Sequence, residues 1–480
     1  MKKMLMMMAA LASAAVALGQ PALTKGMEGK RLDADELATA RYVGVEKGMD
    51  AWVMEGRKHV KQVVLTDVNL EPVVVAPIEG SGDLELLAAS PADYRTGVLL
   101  ADKRSKRAVV LRGEVDADSR ALVENPDTVV AFDFGRKDVC MLWAATSPSG
   151  RYTALVAVIQ MNDEQQYSAY TAMFDSRMYR IWGREYALGS LHEVVATDDG
   201  RVVTLGEERE GDESHFVFNV LDSLRSTTFD AVVKCDPVQE VHLANVIGPY
   251  AVVAGTYRPS GKKNEGMTAG VLTLSFHLDS AQLAGVTLRP LQNEDLNILL
   301  NEKTKKIQKA QALDHVKQLG CVATPYGAVL ALGRDMVVER SSNGGSVTRT
   351  GYGTGVMMAA VDTTGRVCWV RNLRRNDVNE EGERPTLGIA AVGNRVCVVK
   401  SEHAKMPSIY DISNEAKQMK QGDKGNVVVY AVDAEGQVEK LLLEAKSKQT
   451  VVRALTRHDG TLVYLSRSGK KSRLAELRGM

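Results

Sequence analysis

The stretch MMAAVDTTGRVCWVRNL at residues 357–373 returns in outline as VVYAVDAEGQVEKLLL at residues 428–443. Each copy is a short apolar run, an Asp-x-x-Gly segment and a second apolar run. The Asp side chain accepts a hydrogen bond from the backbone two residues on, and Gly adopts positive φ. Each copy therefore predicts a tight reversal between two β-strands, which we interpret as the third and fourth strands of a repeated unit.

A second kind of hairpin recurs along the chain. Apolar runs ending in small residues are followed by a turn and a Val-, Leu- and Ala-rich run, as in AATSPSGRYTALVAV and CVATPYGAVLALG. Seven glycines mark these hairpins: Gly97, Gly150, Gly200, Gly248, Gly327, Gly393 and Gly460. Two hairpins per unit give four strands, and a repeated four-stranded unit of this kind is what a β-propeller requires.

The repeats predict an all-β fold, a seven-bladed β-propeller with four-stranded antiparallel blades. Small residues should outnumber large ones on the innermost strand, where space is tightest, at Ala196, Ala244, Ala323 and Ala390. Residues 61–78 are strand-like and precede the first clear unit, so we expect them to complete the last blade. The two ends of the chain would then close the ring together.

One helical insertion is expected at residues 291–311, where Leu296, Leu299, Leu300 and Ile307 share one face at helical spacing. The helix should lie outside the ring with this face packed against a blade. The alternative is a helix that docks a partner. Two long polar loops are expected at residues 374–385 and 401–426.

The N-terminal segment has the form of a secretory signal peptide. Lys2 and Lys3 precede an apolar run at residues 5–18, and small residues precede Gln20. We assign residues 1–19 to the signal, 20–60 to an N-terminal extension and 61–480 to the propeller. The prediction is a protein exported to the periplasm or beyond the cell, and soluble after cleavage near Gln20. No later run is long and apolar enough to cross a bilayer.

Charge and cysteine content narrow the function classes. Lys+Arg and Asp+Glu number 60 each, so the basic balance expected of a nucleic-acid-binding protein is absent. The five cysteines lie in apolar runs with no metal-ligand spacing, which favours small core side chains, although one disulfide stays open.

The phrases AAVDTTGRVCW and YAVDAEGQVEK resemble repeats of the quinoprotein-like and WD40-like propeller superfamilies, and SPSGRY at residues 147–152 is similar to a turn of TolB-like propellers. The resemblance implies the fold and no reaction. The adjacent cysteines of quinoprotein dehydrogenases, the Asp-box turns of sialidases and the nucleophile elbow of propeller peptidases are all missing.

No catalytic, cofactor-binding or metal-binding residue can be assigned from this sequence, and no cofactor is predicted. His192 and His242 each lie in the first strand of a unit, just before its small residues. They are candidates to line the channel, although the scattered histidines of this sequence favour a satisfied structural role for both.

Two functions remain open. The first is a non-catalytic binding or scaffold module of the cell envelope, whose partner is a protein or an envelope glycan. The alternative is an envelope hydrolase or lyase that acts on a glycan or peptide at the channel mouth. Converging carboxylates or histidines there would favour the enzyme. The oligomeric state is not indicated.

Overall fold

The computed structural model describes residues 23–28, 32–33 and 40–479, apart from short internal segments at 47, 56, 68, 79–80, 93–94, 105–106, 117–120, 123–126, 134–138, 161–166, 189–190, 304–305, 307, 309–310, 342–346, 380–385, 407–413, 421, 458–460 and 469–470. The predicted signal segment and Ile307 lie outside these residues. The described part contains eight sheets of four or more strands, antiparallel apart from one short parallel pair, which we number blades 1 to 8 along the chain.

Two strands precede blade 1, namely β1 (Leu23–Glu28) and β2 (Leu32–Asp33). Blade 1 contains β3 (Arg41–Glu46), β4 (Met49–Glu55), β5 (Lys61–Thr66) and β6 (Pro72–Pro77). Blade 2 contains β7 (Glu85–Ala92), β8 (Arg95–Arg104), β9 (Arg107–Asp116), β10 (Ala121–Leu122) and β11 (Asp127–Asp133). Blade 3 contains β12 (Val139–Thr146), β13 (Tyr152–Gln160), β14 (Tyr167–Asp175) and β15 (Arg180–Leu188). Blade 4 contains β16 (Glu193–Ala196), β17 (Val202–Glu210), β18 (Glu213–Leu221) and β19 (Ser226–Lys234).

The second half of the chain is more elaborate. Blade 5 and its surroundings contain β20 (Val238–Ile247), β21 (Tyr250–Tyr257), β22 (Met267–Thr268), β23 (Gly270–His277), β24 (Gln282–Pro290), helix α1 (Asn293–Leu299) and β25 (Leu313–Asp314), which pairs with β22. Blade 6 contains β26 (Val316–Thr324), β27 (Gly327–Ser341), β28 (Val347–Asp362) and β29 (Val367–Asn379). Blade 7 contains β30 (Gly388–Val392), β31 (Arg395–Glu402), β33 (Gly425–Val432) and β34 (Val438–Ser447), while β32 (Met419–Lys420) pairs with β29. Blade 8 contains β35 (Thr450–Thr456), β36 (Leu462–Ser468) and β37 (Lys471–Gly479). Single 3-10 turns occur at Arg57–His59, Ser81–Asp83 and Lys262–Asn264.

Apolar side chains form eight buried clusters, and each cluster lies between two consecutive blades. Between blades 4 and 5, for example, the rings of Phe218 and Phe276 stack with centroids 4.7 Å apart. The last cluster joins Trp52 of blade 1 to Val463 and Leu465 of blade 8. Packing therefore closes the blades into a ring, which is the arrangement of a β-propeller.

The predicted count of seven blades is wrong for the described residues, which form eight. The pattern of seven glycine-centred hairpins does not include the hairpin β3–β4, which turns at Gly48 with φ +75°. Gly48 stands 49 residues before Gly97, close to the spacing of the first repeats. Its flanks, RYVGVE and MDAWVME, lack the small-residue ending of the other copies, so the sequence pattern predicts an extension over residues 41–55 and the structure shows a hairpin.

The expected closure is right in principle and wrong in detail. Residues from both ends of the chain do complete blade 8, where β1 pairs with β37 and Leu23 lies opposite Gly479. Residues 61–78 do not contribute to it, because β5 and β6 pair within blade 1. A hydrophobic alternation predicts that a segment is a strand, but its partner depends on which edge remains open when the ring closes.

The Asp-x-x-Gly turns and the innermost strands are confirmed. Asp362 Oδ1 accepts hydrogen bonds from the backbone of Thr364 at 2.9 Å and of Arg366 at 3.1 Å. The corresponding turn at Asp433 joins the third and fourth strands of blade 7 in the same way. Four predicted inner residues lie on the first strands of their blades, namely Ala196, Ala244, Ala323 and Ala390.

The helical insertion is shorter than predicted, although its packing is confirmed. Helix α1 ends at Leu299, and Asn301 adopts φ +55°. The chain then folds back over the helix, where Asn297 Nδ2 donates to the carbonyl of Lys306 at 2.6 Å. Leu296 and Leu299 are buried between blades 5 and 6, with Leu300 partly buried beside them. The helix contacts the two outer strands β28 and β29.

The two predicted polar loops are partly strand. Residues 374–379 continue β29, and the loop expected at 401–426 contains β32 and the ends of β31 and β33. The sequence predicts a solvated loop for the charged stretch RRND. The structure buries both arginines. Arg375 pairs with Asp377 of its own strand and with Asp335 of β27, and Arg374 donates to the carbonyl of Asn297 at 3.2 Å.

Candidate binding face and channel-mouth cavity

The antiparallel order of the strands separates the connections onto two ends of the ring. Strands alternate in direction. Turns between first and second strands and between third and fourth strands therefore lie at one end, the turn face. Connections between second and third strands, and those from each blade to the next, lie at the other end, the loop face.

All three predicted insertions lie on the loop face. Residues 291–315 and 380–387 link consecutive blades, and residues 403–424 link the second and third strands of blade 7. The Asp-x-x-Gly turns and the glycine-centred turns lie on the turn face. The long connections therefore share one end of the ring, over blades 5 to 7.

Blade 6 also extends toward the loop face. Strands β27 and β28 contain 15 and 16 residues, whereas the corresponding strands of the other blades contain 6 to 10. The innermost strand β26 pairs only as far as Arg334. Residues 335–341, 347–355 and 374–379 therefore project by about 20 Å at the usual strand rise. We call these residues, with α1 and residues 416–420, the loop-face platform.

Hydrogen bonds join the parts of the platform. Thr354 Oγ1 donates to the carbonyl of Leu299 at 2.5 Å, which fastens α1 to β28. The side chain of Asn301 bonds the backbone of Ala416 in both directions, at 2.8 and 3.1 Å. Asn376 Nδ2 donates to the same carbonyl at 3.0 Å. Segments of two connections are thus held together with the projecting parts of β28 and β29 as one surface.

Charged side chains are buried beneath the platform. Arg375 is fully buried and reaches Asp335 at 3.0 Å and Asp377 at 2.7 Å. Lys400 is also fully buried and donates to the carbonyl of Arg374 at 2.7 Å. Burial lowers the pKa of Lys400. These groups have no access to solvent, so we assign them to support of the platform.

A cavity of about 290 Å³ lies at the loop-face end of the channel. It is lined by the first halves of three innermost strands, β16, β20 and β26. Its polar lining consists of Glu193, Glu240, His242, Gln318 and Cys321, with Leu243, Ala244, Leu319 and Gly320 beside them.

His242 stands between two carboxylates in this cavity. Its Nδ1 lies 2.8 Å from Glu193 Oε2, and its Nε2 lies 3.9 Å from Glu240 Oε1. The hydrogen bond with Glu193 raises the pKa of His242 against the opposing effect of burial. Burial raises the pKa of the Cys321 thiol to about 12. The thiol therefore stays protonated and is a poor nucleophile.

The two candidate histidines separate in the structure. His242 lines the cavity, whereas His192 is exposed and has its Nε2 3.3 Å from the carbonyl of Glu207. The sequence reading missed Glu193, Glu240 and Gln318. Glu193 stands three residues before Ala196, so an alignment of the innermost strands on their small residues would have pointed to it.

A larger cavity of about 520 Å³ lies on the rim between blades 5, 6 and 7. Arg289 pairs there with the buried Asp295 at 2.8 Å, and Asn372 Nδ2 donates to the other oxygen of Asp295 at 2.8 Å. The lining carries two arginines, Arg289 and Arg371, and two carboxylates, Glu294 and Asp295, so its charges balance and no ligand class is indicated.

Among the described residues, no three His, Cys, Asp or Glu side chains are placed to hold a metal ion. No helix in the described part of the chain has the length and apolarity needed to cross a bilayer. All five cysteines are unpaired; Cys235 and Cys397 are buried as expected, while Cys368 is exposed.

The chain matches no protein-family model, and a search of curated proteins found no match. Among solved structures it is similar to the WD40 domain of SCAP from fission yeast, with 8% identity, a TM-score of 0.37 and coverage of 96% of this chain and 98% of the other. It is similar to the polysaccharide lyase Uly1 with 10% identity, a TM-score of 0.34 and coverage of 82% and 90%. It is also similar to prolyl oligopeptidase B from Galerina marginata, with 9% identity, a TM-score of 0.38 and coverage of 93% of this chain and 55% of the other. Similarities this low carry no argument about function.

Proposed function

We propose that the protein is a non-catalytic binding module of the cell envelope and that it recognises a protein partner through its loop face. The observation that carries the proposal is the asymmetry of the ring. Long connections and the projecting ends of blade 6 occupy one face, whereas the other face has mostly short turns. Rigid scaffolds that bind other molecules commonly do so through loops gathered at one end.

The surface of the platform is suited to recognition. Val347 near the tip of the β27–β28 hairpin exposes 59% of its surface, and Val337 on the neighbouring strand exposes 40%. Arg349 and Glu339 form an exposed ion pair at 2.7 Å between the same strands. The ion pair lies between Val337 and Val347 along the hairpin. Exposed apolar and charged side chains therefore alternate on this surface, and a mixture of apolar and polar contacts is usual at protein interfaces.

A comparison of two surface variants tests this proposal. Tagged protein is cross-linked in envelope extract, and the captured partner is identified by mass spectrometry for wild type, Val347→Asp and Leu224→Asp. Leu224 is 82% exposed in the turn between β18 and β19 on the turn face. We expect Val347→Asp to lose the partner and Leu224→Asp to keep it. Equal capture by both variants contradicts a loop-face site.

Export belongs to the same proposal, because residues 1–19 lie outside the described structure. We expect the mature protein to begin near Gln20 and to carry no lipid. Mass spectrometry of the N-terminal peptide from fractionated cells measures this directly. An intact Met1 would show that the segment is not removed.

A hydrolase or lyase at the channel mouth is the second candidate, favoured by the imidazole of His242 between two carboxylates. Such an enzyme would use His242 for proton transfer. The test is product formation from envelope glycans and peptides by wild type and His242→Gln. Turnover that is lost in the variant supports the enzyme, and absence of turnover in wild type removes it.

A further inference from the structure

We propose that the channel-mouth cavity binds a primary ammonium group, such as the end of a lysine side chain presented by the partner. This inference rests on the proposed binding function and names the chemistry of its central contact. It starts from the cavity itself, which lies on the same face as the platform.

The lining accepts hydrogen bonds more than it donates them. Glu193 and Glu240 contribute two carboxylates, and no lysine or arginine is among the lining residues. The carboxylates therefore lack a permanent cationic partner inside the cavity, apart from His242 when that side chain is protonated. An acceptor-rich cavity of this kind selects a ligand that carries a positive charge and several donors.

Gln318 adds a third acceptor. Its Nε2 lies 3.4 Å from the carbonyl of Glu240, while no hydrogen bond of normal geometry from the described residues reaches its buried Oε1. Gln318 also lies close enough to His242 to help raise the pKa of that side chain. A buried acceptor without a donor is unfavourable. An ammonium group has three donors, which match the oxygens of Glu193, Glu240 and Gln318.

The volume favours a single side chain over a larger ligand. The cavity measures about 290 Å³, at the lower limit of about 300 to 1,000 Å³ found for small-molecule sites. The apolar part of the lining, with Leu243, Ala244 and Leu319, suits the methylene stem of a lysine.

Protonation of His242 should compete with the ligand. Its titratable neighbours are Glu193 on β16, Glu240 on its own strand and Cys321 on β26. The raised pKa of His242 means that the imidazolium itself neutralises Glu193 at acidic pH. As the pH rises through that pKa the imidazole becomes neutral, and the cavity gains one unit of negative charge. Cation binding should therefore strengthen with pH, and a bound cation should lower the pKa of His242 by linkage.

The test uses the full mature chain and small probes. n-Pentylamine, n-pentanol and n-pentylguanidine are titrated while the imidazole signals of His242 are followed by NMR between about pH 5 and about pH 8. We expect the amine to bind and to lower the pKa of His242, pentanol to have no effect, and the guanidine to bind more weakly than the amine. Binding of pentanol equal to that of the amine overturns the proposal.

Variants locate the site. Glu240→Gln removes one carboxylate without breaking the His242–Glu193 hydrogen bond, and should weaken amine binding by about threefold to tenfold. Arg453→Gln is the matched control. Arg453 stands three residues before the last paired residue of β35, as Glu193 does in β16, but on blade 8. The Arg453→Gln variant should bind the amine at least as tightly as wild type. If Glu240→Gln binds the amine as tightly as wild type, the proposal that Glu240 contributes to the ammonium site is wrong.

Failure of this inference is distinguishable from failure of the proposed function. If Val347→Asp loses the partner while Glu240→Gln neither binds amine differently nor changes capture, the loop face binds the partner without an ammonium contact. If the amine binds as expected but no partner is captured, the cavity is a small-molecule site and the scaffold proposal fails.

Discussion

Arg375 and Lys400 are fully buried, yet both side chains have acidic neighbours within the protein. The desolvation of such a charge is costly and is offset only while its partners stay in place. These residues therefore fix the relative positions of the projecting strands of blade 6 and of β31. Arg375, which the sequence analysis places in a polar loop, instead forms buried ion pairs that hold neighbouring parts of the structure together.

Replacing Arg375 by Met should lower the free energy of unfolding by about 3–5 kcal/mol, because Asp335 and Asp377 lose the cation that compensates them. The matched control is Arg349→Met in the same blade. Arg349 is 64% exposed and pairs with the exposed Glu339, so its loss should cost about 0–1 kcal/mol. Urea unfolding of the three proteins measures both values, and equal losses would contradict the buried-pair account.

Glu402 predicts a dependence of stability on pH. Burial by itself raises the pKa of Glu402, but Lys400, Lys440 and the hydroxyl of Tyr430 outweigh it and hold the pKa below its usual value. A carboxyl with a lowered folded-state pKa stabilises the protein above its unfolded-state pKa, and this contribution is lost as the pH falls through the folded-state pKa. The destabilisation caused by Glu402→Gln should therefore be largest near neutral pH and shrink below about pH 4. Urea titrations across this range measure the difference, and a difference independent of pH would contradict the assignment.

At the scale of elements, α1 shows what an amphipathic pattern does and does not specify. The spacing of Leu296 and Leu299 identifies the packed face, and the capping box at Gln292 and Asp295 begins the helix. The end of the helix is set elsewhere. Asn301 turns the chain and its side chain bonds Ala416, a contact more than a hundred residues away in sequence that the local pattern does not contain.

Leu299→Ala should cost about 2–5 kcal/mol, the range found when a buried leucine is truncated and leaves a cavity. Leu299 is fully buried between blades 5 and 6, so truncation of its side chain removes apolar contacts that solvent does not replace. Leu224→Ala, at an 82% exposed position, is the control and should leave the melting temperature nearly unchanged. A normal melting temperature for Leu299→Ala, together with loss of the partner, would instead make α1 a docking helix.

At the scale of the whole molecule, the ring depends on the contact between its first and last blades. Strand β1 covers the edge of β37, and Arg457 of the last blade pairs with Asp50 of the first at 3.2 Å and with Glu476 at 2.9 Å. Both carboxylates are buried. Closure thus combines strand pairing, an apolar cluster and buried ion pairs.

A chain that begins at residue 40 should melt at a lower temperature than one that begins at residue 23. Removal of β1 leaves the backbone groups of β37 unpaired at an open edge, and such edges promote association between molecules. Scanning calorimetry and light scattering at several protein concentrations measure both effects. Identical melting and scattering for the two chains would show that β1 does not contribute to closure.

The sequence by itself determined the features that rest on neighbouring residues. The tight reversals at Asp362 and Asp433, the four-strand repeat, the small residues of the innermost strands and the packed face of α1 all follow from backbone preference and side-chain alternation within a few residues. Such local patterns identify a blade but do not count blades whose turns lack the common signature, as β3–β4 does.

Only the tertiary structure decided how these pieces combine. The eighth blade, the pairing of β1 with β37, the burial of Arg375 and the meeting of Glu193, Glu240, His242 and Gln318 at the channel mouth join residues distant in sequence. Each depends on which edges and faces remain open once the blades pack around the ring. That choice is made by the free energy of the whole assembly, because local segments contain no information about their distant partners.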